Sequence, residues 1–183
     1  MYTYLLFIHP QGKDEARRYH VLLEAYFRDL TPTLELQRFM PRDRINIFLL
    51  PVAQRPQSSA QLDASQLADW TLDHLDVAFS SSLTLSLDGP FTAGPYIVSC
   101  PRRLSGSSSD HEVCAVQDLS VIPTSMLETW IQHVEYQAAH QDGSFSVQIF
   151  ALRLRTIIAQ IAEDEPNVSA SVQKVLDFRK RVK

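Results

Sequence analysis

The chain has 183 residues, of which 45% are hydrophobic and 21% charged, values typical of a soluble globular protein with one sizeable core. No apolar run approaches the roughly 20 residues that cross a bilayer, which excludes a membrane span. The net charge is −4, but the last five residues carry four of the 17 positive charges, so the body before them has 13 basic and 21 acidic residues, which excludes a broad basic face for nucleic acid.

The first predicted elements are a strand and a helix. The apolar and aromatic run from Tyr2 to Ile8 is typical of a strand buried on both faces, and His9 and Pro10 end it. The helix begins after the turn at residues 10–12, has an acidic first turn, and ends before Pro32. Its apolar face repeats at three- and four-residue steps, at Tyr19, Leu22, Leu23, Tyr26, Phe27 and Leu30.

A second strand is predicted at residues 45–50, where Pro51 ends it. The segment 34–39 before it fits either a helical turn or a short strand. After a loop at residues 54–59, a single helix is predicted from about Ser65 to Leu85. The leucines at 83, 85 and 87 also alternate as in a strand, so the end of this segment fits either element.

Two further strands are predicted at residues 96–100 and 113–119, and the serine-rich stretch between them predicts a mobile connection. Consecutive strands joined in this way are expected to form an antiparallel pair. Cys100 and Cys114 lie on or at the ends of these strands. We interpret them as reduced thiols buried in the core, with a Cys100–Cys114 disulfide as the alternative.

From Ile122 onward the pattern predicts helices only. Ser125 and Glu128 fit a capping box at the start of a helix that ends at residues 142–143. A second helix is predicted from about Val147 and must end before Pro166. A third, short helix is predicted from near Asn167, with Val168, Val172, Val175 and Leu176 inward, and finishes in the basic tail at residues 179–183.

This order predicts an α/β fold with a mixed, mainly parallel four-stranded sheet, flanking helices and an all-helical C-terminal portion. We predict one domain over residues 1–183, with the sheet body at 1–121 and the helical portion packed on it at 122–183. The βαβ and then ββα order over residues 2–140 resembles a thioredoxin-like sheet, with Pro95 just before the third strand, where that fold usually has a cis-proline. Positions 9–12 hold no cysteine, so the resemblance is one of topology and does not imply disulfide exchange by that motif.

The five glycines exclude the common nucleotide-binding loops. No glycine-x-glycine pair exists, which removes the dinucleotide fingerprint. Gly89 and Gly94 have four residues between them, but Pro95 stands where a phosphate loop needs lysine. We therefore predict no cofactor.

One cluster has the residue types of a thiol or zinc site. Cys100, Asp110, His111 and Cys114 could converge at one end of the strand pair, but their spacing contains no paired-cysteine knuckle. We interpret the cluster as two core thiols and a loop histidine, and we assign no metal.

A candidate ligand site lies at the strand ends. His9 follows the first strand, and the carboxyl ends of parallel strands are where ligands usually bind. Lys13 and Arg17 follow on the first turns of the helix, so a small anionic ligand could meet these cations and the helix amides together. Asp118, near the end of the fourth strand, either joins the same edge or caps a loop.

The sequence contains no recognisable catalytic constellation. We therefore expect a cytoplasmic, non-enzymatic partner-binding or regulatory protein, whose partner is another protein or a second copy of the chain, with no nucleic acid and no membrane. Trp130, Phe145 and Phe150 would contribute to a self-association surface if they are not core. The alternative is a small enzyme or ligand-binding protein with its site near His9, Lys13 and Asp118.

Overall fold

The computed structural model of the protein describes residues 2–8, 12–29, 47–54, 62–92, 94–104, 113–139 and 175–180. The described strands are β1 (Tyr2–Phe7), β2 (Ile47–Leu49), β3 (Pro95–Cys100), β4 (Val113–Asp118) and β5 (Leu176–Lys180). The described helices are α1 (Lys13–Asp29), α2 (Ala64–Asp73), α3 (Val77–Leu85) and α4 (Leu127–Ala139). Two 3-10 turns, Leu119–Val121 and Thr124–Met126, lie between β4 and α4. The predicted α/β class is therefore confirmed.

The five strands form one mixed sheet in the order β2-β1-β3-β4-β5. β1 and β2 are parallel, and α1 lies between them in the chain. The β1–β3, β3–β4 and β4–β5 pairs are antiparallel. The predicted antiparallel pairing of β3 with β4 is confirmed, but the prediction of a mainly parallel sheet is wrong. The physical reason is that β3 enters the sheet beside the end of β1 and runs back along it, and β4 reverses again as its hairpin partner.

The C-terminal portion is not all helical, because residues 176–180 form β5. This strand pairs with β4 from Val113↔Lys180 to Gln117↔Leu176, and the amide of Asp118 donates to the carbonyl of Val175 at 2.8 Å. Pairing satisfies the backbone groups along an edge of β4 that would otherwise be open, and this outweighs the local helical rhythm. The helix predicted from Val147 and the start of the helix predicted near Asn167 lie outside the described residues.

The single helix predicted from Ser65 to Leu85 is two helices, α2 and α3. Between them the chain makes an isolated bridge, Val52↔Leu75, with Ala53 donating to the His74 carbonyl at 2.9 Å. The Asp76 carboxylate then accepts from the Phe79 amide at 2.8 Å and begins α3. The backbone therefore exchanges helical hydrogen bonds for bonds to a distant segment, which the apolar periodicity cannot reveal.

The start of α4 also differs from its prediction. Ser125 lies within the 3-10 turn before α4 and does not directly precede Leu127, the first residue of the helix. Glu128 instead forms an ion pair with Arg28 at the end of α1. The predicted capping box is therefore wrong, because the carboxylate pairs with another helix.

Hydrophobic clusters fill both faces of the sheet, so β1 is buried on both sides as predicted. Residues of α1, α2 and α4 cover one face, with Phe7, Tyr19 and Trp130 among the largest buried side chains. Leu83 of α3 and Leu87 pack on the other face. Trp130 is only 2% exposed, so it belongs to the core and offers no self-association surface. Phe145 and Phe150 lie outside the described residues.

Cys100 and Cys114 form a disulfide across β3 and β4, with their Cα atoms 4.5 Å apart. The interpretation as reduced thiols is therefore wrong, and a zinc site built on these cysteines is removed with it. They face each other one position beyond the Ser99↔Ala115 pair, which depends on strand register and not on sequence spacing. His111 and Asp110 lie outside the described residues.

None of the described helices combines the length and apolar character that a membrane span requires.

Candidate functional site

Strand register brings the predicted site elements to one end of the sheet. Phe7, the last residue of β1, pairs with Pro95 at the start of β3, and Tyr96 pairs with Asp118 at the end of β4. The chain leaves β1 here and enters α1 at Lys13. We call this region the sheet-end site, defined as the carboxyl end of β1, the first two turns of α1, and the segments 94–95 and 118–120. It includes the edge that Asp118 was expected to join.

The predicted site residues occupy different environments at this end. Lys13 and Arg17 are exposed and stand one helical turn apart on α1. One oxygen of the Asp118 carboxylate accepts from the amide and the hydroxyl of Ser120, at 2.9 and 2.6 Å. Asp118 therefore caps the 3-10 turn that follows β4, which was the second role weighed for it. His9 lies outside the described residues.

Arg18 is a residue of this site that the sequence did not indicate. Its Nη2 donates to the carbonyl of Leu119 at 2.6 Å and its Nη1 donates to Thr124 Oγ1 at 3.3 Å. Its Nε is buried without a hydrogen-bond partner among the described groups. Burial lowers the pKa of Arg18, while the Asp118 carboxylate raises it. The spacing of the helix contains a signal for this role. Arg18 lies four residues before the buried Leu22 and therefore on the same side of α1, whereas Arg17 does not.

Tyr19 joins β1 to the turn before β3. Its hydroxyl donates to the carbonyl of Ile8 at 2.6 Å, and the Gly94 amide donates to the same phenolic oxygen. Burial raises the pKa of Tyr19, and the nearby Glu15 carboxylate raises it further. The phenol is therefore a fixed, protonated link across this end of the sheet.

Gly94 allows the segments on either side of the site to approach closely. Its φ is +145°, and a Cβ placed there would lie 2.7 Å from the Cβ of Ser120. The Gly94–Pro95 peptide bond is trans, like the other described peptide bonds. The cis-proline expected from a thioredoxin-like sheet is therefore not present at Pro95.

The chemistry open to the sheet-end site is limited by these contacts. Arg18, Tyr19 and Asp118 are engaged in holding α1, β1 and the chain after β4 together. In the described ranges, no three His, Cys, Asp or Glu side chains converge as a metal ion would require. The charged groups that remain exposed on the first two turns of α1 are the cations Lys13 and Arg17 and the carboxylate of Asp14. The arrangement suits binding by charge and contains no assembled catalytic pair among the described residues.

A second surface lies on the side of α3 that faces away from the sheet. We call it the outer face of α3, defined by the exposed residues Ala78, Phe79, Ser82 and Leu85. Phe79 is 45% and Leu85 is 80% exposed. The opposite side of the same helix buries two polar residues, Ser80 and Thr84, together with Leu83. Apolar side chains therefore lie on both sides of α3, whereas a surface helix usually keeps them on its buried side.

Comparisons of the chain with protein-family models, with curated proteins and with solved structures found no match. Function is therefore argued from the side chains of the sheet-end site and of the outer face of α3.

Proposed function

We propose that this is a non-enzymatic binding protein whose partner is a second copy of the same chain, held through the outer face of α3. The observation that carries the proposal is the exposure of Phe79 and Leu85 on one side of α3, while Ser80 and Thr84 are buried on the other. An exposed large apolar group beside buried polar groups is the informative departure from normal burial.

The polar residues on the inner side of α3 do not force the helix to turn that side toward solvent. The Thr84 hydroxyl donates to the Ser81 carbonyl at 2.8 Å, so it is satisfied within the helix. Leu83 supplies the apolar contact with the sheet. The outer face has no comparable stabilising contact, because Leu85 remains 80% exposed. Burial against another surface would remove this apolar area from water.

Charge favours a second copy of the chain as the partner. The chain is acidic over its first 178 residues, so most of its surface repels an identical molecule. α3 is the only described helix without a charged residue, as its sequence VAFSSSLTL shows. An uncharged apolar patch can face its own copy across a two-fold axis without repulsion at its centre.

Light scattering after size-exclusion chromatography tests this proposal. We expect the wild-type chain to be a dimer and Leu85→Glu to be a monomer, because each dimer would bury the new carboxylate twice. A loss of about 2 kcal/mol per copy weakens the dimer by roughly a thousandfold. His133→Glu, at an exposed position on α4, is the matched control and should stay dimeric.

Two results would contradict the proposal. One is a wild-type chain that is monomeric at every concentration measured, and the other is a Leu85→Glu variant that dimerises as well as the wild type. Thermal unfolding of the monomeric variant separates a lost interface from a lost fold, since Leu85 contributes little to the core when 80% exposed.

We further infer a thioredoxin-like topology for the sheet. The βαβ unit of β1, α1 and β2 and the ββα unit of β3, β4 and α4 support it. An experimental structure with a different strand order would remove this inference.

A second candidate function is binding of a small anion at the sheet-end site. It is favoured by the register that places the carboxyl ends of β1 and β4 beside the start of α1. The exposed Lys13 and Arg17 would hold the anion, with His9 following β1 in the chain.

Thermal unfolding with inorganic phosphate, compared with sodium chloride at the same ionic strength, tests this second function. We expect phosphate to raise the Tm of the wild-type chain and to leave a Lys13→Ala/Arg17→Ala variant unchanged. Equal shifts with both salts would show general ionic effects and would count against the site. His9→Ala then reports whether the histidine contributes.

A further inference from the structure

The end of β4 that carries Cys114 is attached to the sheet differently from the rest of the strand. The register between β3 and β4 runs from Tyr96↔Asp118 to Ser99↔Ala115 and ends there. The next facing residues are Cys100 and Cys114, which are joined by their disulfide. At this end a covalent bond takes the place of the hydrogen-bonded ladder.

The ladder between β4 and β5 extends beyond that point. It includes the pairs Cys114↔Arg179 and Val113↔Lys180. The two outermost β4–β5 pairs therefore rest on a part of β4 that reaches β3 through the disulfide. The disulfide supports two strands and not only the hairpin that contains it.

The surroundings of the two sulfurs keep them away from solvent. Both cysteines are fully buried, in the core cluster that also contains Val98, Leu104 and Val116. A thiol behaves as a small hydrophobic group in such a core, so the same packing accepts the reduced pair. Reduction would therefore change the attachment of β4 without emptying the core.

We propose that the Cys100–Cys114 disulfide is a covalent staple, which holds the Val113–Cys114 end of β4, and with it the end of β5, on the sheet. A dithiol reductant breaks the bond between the two sulfurs. It supplies two electrons and two protons, which leave one thiol on each cysteine, and is itself oxidised to a disulfide. The end of β4 is then held on β3 by packing alone, so it opens more often, together with the pairs to residues 179 and 180.

A contact of β5 extends the effect to the loop before β3. Arg179 Nη1 donates to the carbonyl of Pro90 at 2.6 Å, and the guanidinium lies 4.1 Å from the centre of the Phe91 ring. Loosening the end of β5 weakens both contacts. The redox state of one bond thus controls the order of a strand end and of the loop at residues 89–91.

Amide hydrogen exchange of the full chain, oxidised and reduced with dithiothreitol, tests the staple. We expect exchange at residues 113–114 and 179–180 to be at least about tenfold faster after reduction, because these amides lose their support. Exchange in the ladder between β1 and β3 should accelerate much less, and only as far as the fall in global stability requires. The Tm should fall by roughly 6–12 °C, as for other loops of this length.

The variant Cys100→Ala/Cys114→Ala is the matched control. It should exchange like the reduced wild-type chain in both buffers, which shows that the reductant acts through this bond alone. Faster exchange spread evenly over all five strands, or no change in any strand, would overturn the proposal. So would two free thiols that persist in the folded chain after treatment with oxidised glutathione.

Discussion

At the scale of single residues, Gly94 has the most demanding position. Its positive φ is one that side-chain-bearing residues rarely adopt, and an added Cβ would meet the Cβ of Ser120 at 2.7 Å. Both constraints arise where the turn before β3 passes the chain after β4. Gly94 therefore allows the sheet-end site to close, and a side chain there would push these two segments apart.

Replacement of Gly94 should therefore lower the stability of the fold. We expect Gly94→Ser to lower the free energy of unfolding by roughly 2–4 kcal/mol, from backbone strain and the contact with Ser120. Gly12→Ser is the matched control, because a Cβ at Gly12 meets nothing within 4 Å and serine is favoured at the N-cap position just before α1. Urea unfolding measures both, and an equal effect of the two changes would contradict this account.

Two buried tyrosines make the free energy of unfolding depend on pH in the alkaline range. Burial raises the pKa of Tyr19 and of Tyr96 above the ordinary value of 10.0. The folded state therefore keeps both phenols protonated where the unfolded chain loses its protons. Their contribution to stability is complete below the unfolded pKa and is lost as the pH rises through the folded pKa values.

We expect the free energy of unfolding to fall above about pH 10, by up to about 1.4 kcal/mol per pH unit for each tyrosine. Urea titrations at several pH values measure the slope. Tyr19→Phe removes one of the two groups, so its slope should be smaller than that of the wild-type chain. Identical slopes would mean that Tyr19 titrates normally.

At the scale of elements, side-chain caps decide where α2 and α3 begin. The Asp63 carboxylate accepts from the Gln66 amide at 2.8 Å, and the Gln66 side chain accepts from the Asp63 amide at 3.1 Å. This capping box and Asp76 were present in the sequence as signals for two helix starts. They were missed because the leucine periodicity continues through residues 74–76.

Asp63→Ala should lower the free energy of unfolding by about 1 kcal/mol, because the Gln66 amide at the start of α2 loses its partner. Asp73→Ala is the control at the other end of α2. Removing a negative charge from a helix C-terminus should leave stability unchanged or raise it slightly. Chemical denaturation compares the two, and a larger loss for Asp73→Ala would be inconsistent with capping.

The elements were easier to predict than their partners. β1, β3 and β4 were predicted to within two residues because short, largely apolar runs between polar or turn-forming residues have few alternatives. β5 was assigned to a helix, since five residues with alternating character gain strand structure only from pairing with β4. The outer face of α3 was also not foreseeable, because the sequence does not say which side of an apolar helix meets the sheet.

At the scale of the whole molecule, β5 covers an edge of the sheet. It pairs with five residues of β4, from Val113 to Gln117. Without β5, these largely apolar residues would present an open strand edge, which is a template for pairing with other chains.

A chain that ends at Val175 should therefore aggregate or unfold at a lower temperature than a chain that ends at Lys180. The second chain keeps β5 and loses only residues 181–183, so it is the matched control. Size-exclusion chromatography and thermal unfolding measure the difference. Equal solubility and equal Tm for the two chains would show that β5 adds nothing to the sheet.

The disulfide also changes the argument about where the protein acts. The expectation of a cytoplasmic protein depended in part on reading Cys100 and Cys114 as reduced thiols, and their bond removes that support. The location stays a prediction, and the redox state of the chain isolated from its native source would test it.

By itself the sequence determined the α/β class, four of the strands and the exclusion of common nucleotide loops, because these depend on periodicity and on residue types along the chain. Tertiary structure decided what depends on which residues meet. It set the direction of β3, the pairing of Cys100 with Cys114, the addition of β5 and the anchoring role of Arg18. Register and close approach join residues up to about a hundred positions apart, such as Arg18 and Leu119, and no local pattern records such contacts.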